Sequence, residues 1–250
     1  MIASIKSEFR KVLSIRSTYV ILLIGVALNM LFAFYVTGWQ LDKESLMSPT
    51  FMGSQVVSSV SALGLFAGII AILLVTHEYR YNTIMYTLTA NKSRTQVLLA
   101  KLVTLTVFAL IFTAFFAILS PLLSLLAIHI RHLELGAQDF DAWNLAWRSL
   151  LSGWTYVIYG FVLAMIIRVQ VGTIAALLLI PTVEPLIGLV LKQKQAYLPF
   201  MALNNLLTVG GEGGAPTNSL SDHRAAAVVG VYVVVGLLVA WFLFLRRDAN

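Results

Sequence analysis

Apolar residues in this chain gather into runs of about 20 residues, separated by short polar segments rich in charge and glycine. Six windows meet the length needed to cross a hydrocarbon core of about 30 Å. They lie at approximately 18–38, 56–76, 99–122, 146–167, 171–191 and 225–245. The third run is overlong, for Leu98 to Ile130 holds one basic residue, Lys101, and one proline, Pro121. At about 1.5 Å per residue it reaches about 50 Å, too long for one untilted span and too short for two. The pattern predicts one span that projects beyond the outer face and bends near Pro121.

The segments between the runs carry patterns of their own. In the first sixteen residues Ile2, Ile5, Phe9, Val12 and Leu13 share a helical face, while Lys6, Arg10, Lys11 and Arg16 fall largely elsewhere. No A-x-A-like cleavage site follows, and the next apolar run exceeds a signal h-region. An amphipathic helix in the membrane interface is expected here, the alternative being an ordinary basic flank. The polar segment from His77 to Leu98 places Ile84, Met85 and Leu88 where a short helix is expected. After the fifth window, YLPFMALNNLL predicts a helix that dips into the membrane, followed by the flexible GGEGGAPTNS.

Charge then orients the spans. With both termini cytoplasmic, the inner segments hold Lys6, Arg10, Lys11, Arg16, Arg80, Lys92, Arg94, Lys101, Arg168, Arg246 and Arg247. The outer ones hold Lys43, Arg131, Arg148, Lys192, Lys194 and Arg224. Lys and Arg near span ends favour the cytoplasmic side, and an odd number of spans would put Arg246 and Arg247 outside. Composition agrees with an all-α membrane protein of one transmembrane domain over residues 1–250. The chain is 59% hydrophobic and 11% charged, with a mean hydropathy of +0.88, whereas soluble domains carry about 25% charged residues. The net charge of +6 is thereby explained by topology, without a nucleic-acid partner. The absence of cysteine excludes disulfides, zinc–thiolate sites and cysteine nucleophiles.

Few residues at membrane depth carry chemistry. Glu184, between Pro181 and Pro185, is the one acidic residue well inside a predicted span. A carboxyl there is costly unless neutral, paired or hydrated. It either binds a cation, carries a proton or lines a translocation path, or else caps or stabilises a broken helix facing a partner chain. His77-Glu78 lacks the second histidine of H-E-x-x-H, since Tyr81 stands in its place. His129 and His132 read as polar flanks, and no metal site is expected. The GGEGGAPT segment lacks the Lys-Ser/Thr of a phosphate loop, so the chain is not itself an ATPase of that class. Gly64 and Gly68 allow close helix packing. Trp39, Trp143 and Trp147 near outer ends, with Tyr79, Tyr81 and Tyr86 near the inner face, form an aromatic belt.

The order of these parts resembles the permease subunits of type-2 ABC transporters. Those permeases place a Glu-aromatic-x-x-(Gly/Asn)-Thr segment after the second span. A leucine, a turn, a basic residue and a basic start to the third span follow. Glu78, Tyr79, Asn82, Thr83, Leu88, Arg94 and Lys101 stand at those positions, and SEFRKVLSIRSTYV is similar to the family's opening, with Glu8 and Arg16 at familiar places. The chain departs from the pattern at Ala90-Asn91, where a proline is usual.

The resemblance implies that the 77–94 segment, with Glu78, Tyr79, Arg80, Asn82, Thr83, Leu88 and Arg94, couples to a separate ATP-binding cassette subunit. Two copies of that subunit would bind ATP and magnesium, leaving this chain without cofactor or catalytic site. Two permeases, identical or different, would meet through the first and fifth spans in a prokaryotic plasma membrane and export a hydrophobic or amphiphilic cargo. Two rivals are weighed against it. One is a stand-alone ion- or proton-coupled carrier or channel centred on Glu184. The other is an intramembrane enzyme, which would need a second catalytic group at membrane depth.

Overall fold

A computed structural model describes residues 2–89, 93–139, 141–207 and 220–246, without the side chains of Lys43, Leu88, Gln193 and Asp222. Lys92, the Ala90-Asn91 turn, the glycine-rich 210–219 segment, Arg247 and Asp248 lie outside the described residues. Among the described residues the regular structure is all helix, and six helices are long and apolar enough to cross a bilayer. They are the first span (Arg16–Trp39), the second (Phe51–Arg80), the third (Arg94–Ile130), the fourth (Ala142–Ile167), the fifth (Gln170–Leu191) and the sixth (Asp222–Arg246). All six predicted windows fall within them, because length and hydropathy alone select a spanning segment. The third span runs unbroken through Pro121 for 37 residues, about 55 Å of helix.

Local chemistry sets the helix ends. Asp141 accepts hydrogen bonds from the backbone N–H groups of Trp143 and Asn144 and so caps the fourth span. Ser93 caps the third span by accepting from the N–H of Gln96. The first span opens from α-helix into a seven-residue π-helical stretch, Met30–Val36, before closing at Trp39.

The second and fourth spans form the core, being the most buried of the six, while the first, fifth and sixth are largely exposed. Their crossing depends on glycine, as the Gly64/Gly68 spacing predicts. A Cβ on Gly160 would collide with the carbonyl of Gly68, and one on Gly68 would come within 2.9 Å of the Tyr156 carbonyl oxygen. Backbone lies against backbone there, so nothing flexible can yield. The YLPFMALNNLL segment forms a short helix, Pro199–Leu207, whose Phe200, Ala202, Leu203, Leu206 and Leu207 are buried. It packs inside the bundle, mainly against the fourth and sixth spans.

An N-terminal helix, Ile2–Ser14, precedes the first span. It lies at the same end of the bundle as the start of the third span and the end of the sixth. Glu8 on the N-terminal helix bonds to Lys101, and Arg94 donates to the carbonyl oxygen of Leu245. The N-terminal helix and the end of the sixth span thus lie at the same end, both against the start of the third, as an even number of spans requires.

Candidate functional site

Two acids and two bases converge at that end. Glu8 and Lys11 come from the N-terminal helix, Glu78 from the last turn of the second span, and Lys101 from the second turn of the third. Lys11 Nζ is 2.6 Å from Glu8 Oε1 and 2.5 Å from Glu78 Oε1. Lys101 Nζ is 2.8 Å from Glu8 Oε2 and 2.8 Å from Glu78 Oε1. Each cation therefore touches both anions, and the four formal charges cancel. Glu8, Glu78 and Lys101 are buried, whereas Lys11 keeps partial access to solvent. Burial pulls the Lys11 ammonium down, but the carboxylates of Glu78 and Glu8 outweigh it and hold it above the ordinary lysine range. Glu78 Oε2 is buried with no hydrogen-bond partner among the described residues.

This pairing changes the picture of the N-terminal helix. Of its apolar face Val12 is buried, but Ile2 and Leu13 are exposed, and Glu8 is its most enclosed residue. Lys6, Arg10 and Arg16 remain exposed. Ion pairs as well as apolar contact hold the helix to the bundle.

The segment following Glu78 closes in a defined way. The Thr83 N–H donates to the Glu78 carbonyl and the Asn82 N–H to the Tyr79 carbonyl, while Asn82 takes a left-handed conformation with φ of 53°. This is a Schellman ending, whose left-handed position suits glycine or asparagine. A physical reason for Gly or Asn at that point of the motif follows. A short helix, Ile84–Thr89, then returns the chain. Its Ile84 is buried, while Met85 and Tyr86 project outward with Tyr81 before them, Tyr86 at 77% exposure.

The other residues singled out in the sequence divide by direction. Tyr79 is half-buried beneath the Arg168 guanidinium, 4.8 Å from its ring centre. Arg80 is exposed and donates to Gln170 Oε1 at 3.4 Å, at the start of the fifth span. Arg94 donates to the carbonyls of Phe244 and Leu245 at the end of the sixth. Asn82 and Thr83 are exposed, and the side chain of Leu88 lies outside what is described. The 78–94 segment thus reaches the N-terminal helix, the third span, the turn between the fourth and fifth spans, and the sixth span. Sequence reading singled out its residues but missed the partnership of Glu8 and Lys11 with Glu78 and Lys101. An acid inside an amphipathic helix and a lone lysine inside an apolar run each demand a partner, and that was the available signal.

Glu184 lies elsewhere and is also enclosed. Its Oε1 and Oε2 accept from the Phe200 N–H at 3.1 and 2.9 Å, and Oε2 accepts from the Met201 N–H at 2.8 Å. The carboxyl caps the Pro199–Leu207 helix, where open N–H groups and the helix dipole favour an acceptor. The helix that carries Glu184 is itself continuous from Gln170 to Leu191, and the helix it caps is a separate one within the same chain.

Fold and cluster together define a multi-pass α-helical membrane protein whose helices are locked at one end by buried ion pairs. Residues 18–249 match the family described as "Protein of unknown function (DUF2705)", and the chain belongs to that family. No curated protein matches it.

Proposed function

We propose that this chain is the membrane-spanning permease subunit of an ATP-driven exporter of the type-2 ABC class. The observation that carries the reading is the 78–94 segment. It displays Tyr81, Met85 and Tyr86 at one end of the bundle and is tied by hydrogen bonds, ion pairs and ring contacts to four other parts of it. A partner that pushes on this short helix would move the spans together. Large apolar side chains exposed together beyond a span end suit a protein contact. In this reading Glu78 is a positioning residue within the bundle, and contact falls to the outward side chains.

The end bearing the N-terminal helix faces the cytoplasm of a prokaryotic plasma membrane, in keeping with the excess of Lys and Arg there. Two ATP-binding cassette subunits, which bind ATP and magnesium, and a second permease copy complete the unit. The apolar faces of the first and fifth spans suit that second copy. A hydrophobic or amphiphilic cargo fits so apolar a bundle. Expression with the products of neighbouring genes tests the proposal: an ATP-binding protein co-purifies with the chain, and Met85→Ala with Tyr86→Ala reduces its recovery at least tenfold without altering insertion. Failure to recover any ATP-binding protein would overturn it.

A further inference from the structure

We infer that the space between the first, second and third spans binds a small neutral amphiphile whose hydrogen-bond donor meets Asn29. A cavity of about 240 Å³ opens there. It lies in the half of the bundle away from the ion-pair cluster, because Gln55 is at the start of the second span and Ser120 is late in the third. It shares no residue with the 78–94 segment, so its test does not depend on a partner docking there.

The cavity has two characters. Leu28, Phe32, Leu63 and Phe66 give it apolar walls, while Asn29, Gln55, Ser58, Ser59 and Ser120 bring polar groups to it. Two of these hydroxyls are already used: Ser59 donates to the Val56 carbonyl and Ser120 to the Gln55 carbonyl. Asn29 differs. It is 4% exposed, and its carboxamide oxygen has no hydrogen-bond partner among the described residues. An unmatched amide oxygen in an apolar setting is costly, and a ligand donor that draws the carboxamide round to face the cavity would relieve it.

The backbone reinforces the point. Asn29 is the last α-helical residue before the π-helical stretch Met30–Val36, a distortion that often accompanies functional sites. No ionisable side chain lines the cavity, so a charged head would enter it uncompensated; the ligand is therefore neutral. A cavity of about 150 Å³ accommodates benzene, so this one suits a short alkyl chain or a ring with a hydroxyl or amide. The polar, uncharged end of a bilayer lipid and a free small amphiphile share that chemistry. Phe32 and Ser58 are exposed at the rim, which leaves a lateral entrance from the membrane.

Photolabelling of the full chain in lipid nanodiscs with a diazirine-bearing octan-1-ol tests the site. Saturable labelling of peptides containing Phe32, Leu63 or Phe66 is expected. At matched membrane concentration octan-1-ol should compete about tenfold better than octane, the value of one buried hydrogen bond. Asn29→Leu should erase that preference. Ala62→Phe, placed at the exposed rim where folding is least disturbed, should abolish the labelling. Competition by dioleoylglycerol as well supports the inference with a bilayer lipid as the source, and its absence supports it with a free amphiphile. Unsaturable labelling spread over all exposed spans, or equal competition by octane and octan-1-ol in the unaltered chain, would overturn the inference.

Discussion

Lys101 stands seven residues into a span of 37, where an unpaired ammonium would cost several kcal/mol. Its two carboxylate partners come from positions 8 and 78, a convergence that sequence spacing cannot reveal because it depends on which helices pack side by side. Removing one member leaves a buried charge uncompensated. Lys101→Met is therefore expected to cost about 3–5 kcal/mol in detergent unfolding. The double variant with Glu8→Gln, which restores the balance of one acid to one base, should recover part of that loss. Lys11 gives the cluster a pH limit. Its native pKa lies above the ordinary 10.5, so its stabilisation is complete below that value and disappears as pH rises through the native one. The thermal unfolding midpoints of the native chain and Lys11→Met should differ most below pH 10.5 and converge in stronger alkali.

At the scale of elements, what was legible followed from one-dimensional rules. The spans answer to run length and the Gly64/Gly68 spacing to close packing, whereas the left-handed turn at Asn82 emerged only from the structure. The Ile84–Thr89 helix was expected from its apolar positions, but the outward display of Met85 and Tyr86 was not. Glu184 was visible as an oddity, while its partners at Phe200 and Met201 were hidden behind a change of chain direction. The capping geometry predicts that Glu184→Gln lowers stability by about 1–2 kcal/mol, since an amide oxygen accepts more weakly than a carboxylate. Unfolding in detergent measures that loss. Transport by this variant should keep its pH dependence, and a shifted profile would restore a proton-carrying role to Glu184.

For the whole molecule, the central feature is a bundle in which the N-terminal helix and the end of the sixth span both rest on the start of the third, with a short helix displayed beyond the second span. The charge pattern had placed both termini on one side; among the described residues, Glu8 of the N-terminal helix contacts Lys101 and Leu245 of the sixth span contacts Arg94. The exposed first, fifth and sixth spans leave room for lipid and a second copy. The absence of cysteine makes single-cysteine cross-linking clean in native membranes, and it reads the displayed helix directly. A photoactivatable cross-linker on Tyr86→Cys should capture an ATP-binding protein from the cytoplasmic side, while the same reagent on Trp143→Cys, at the opposite end, should not. A Tyr86 position that reacts from the outer face, or captures no ATP-binding protein, would contradict the account.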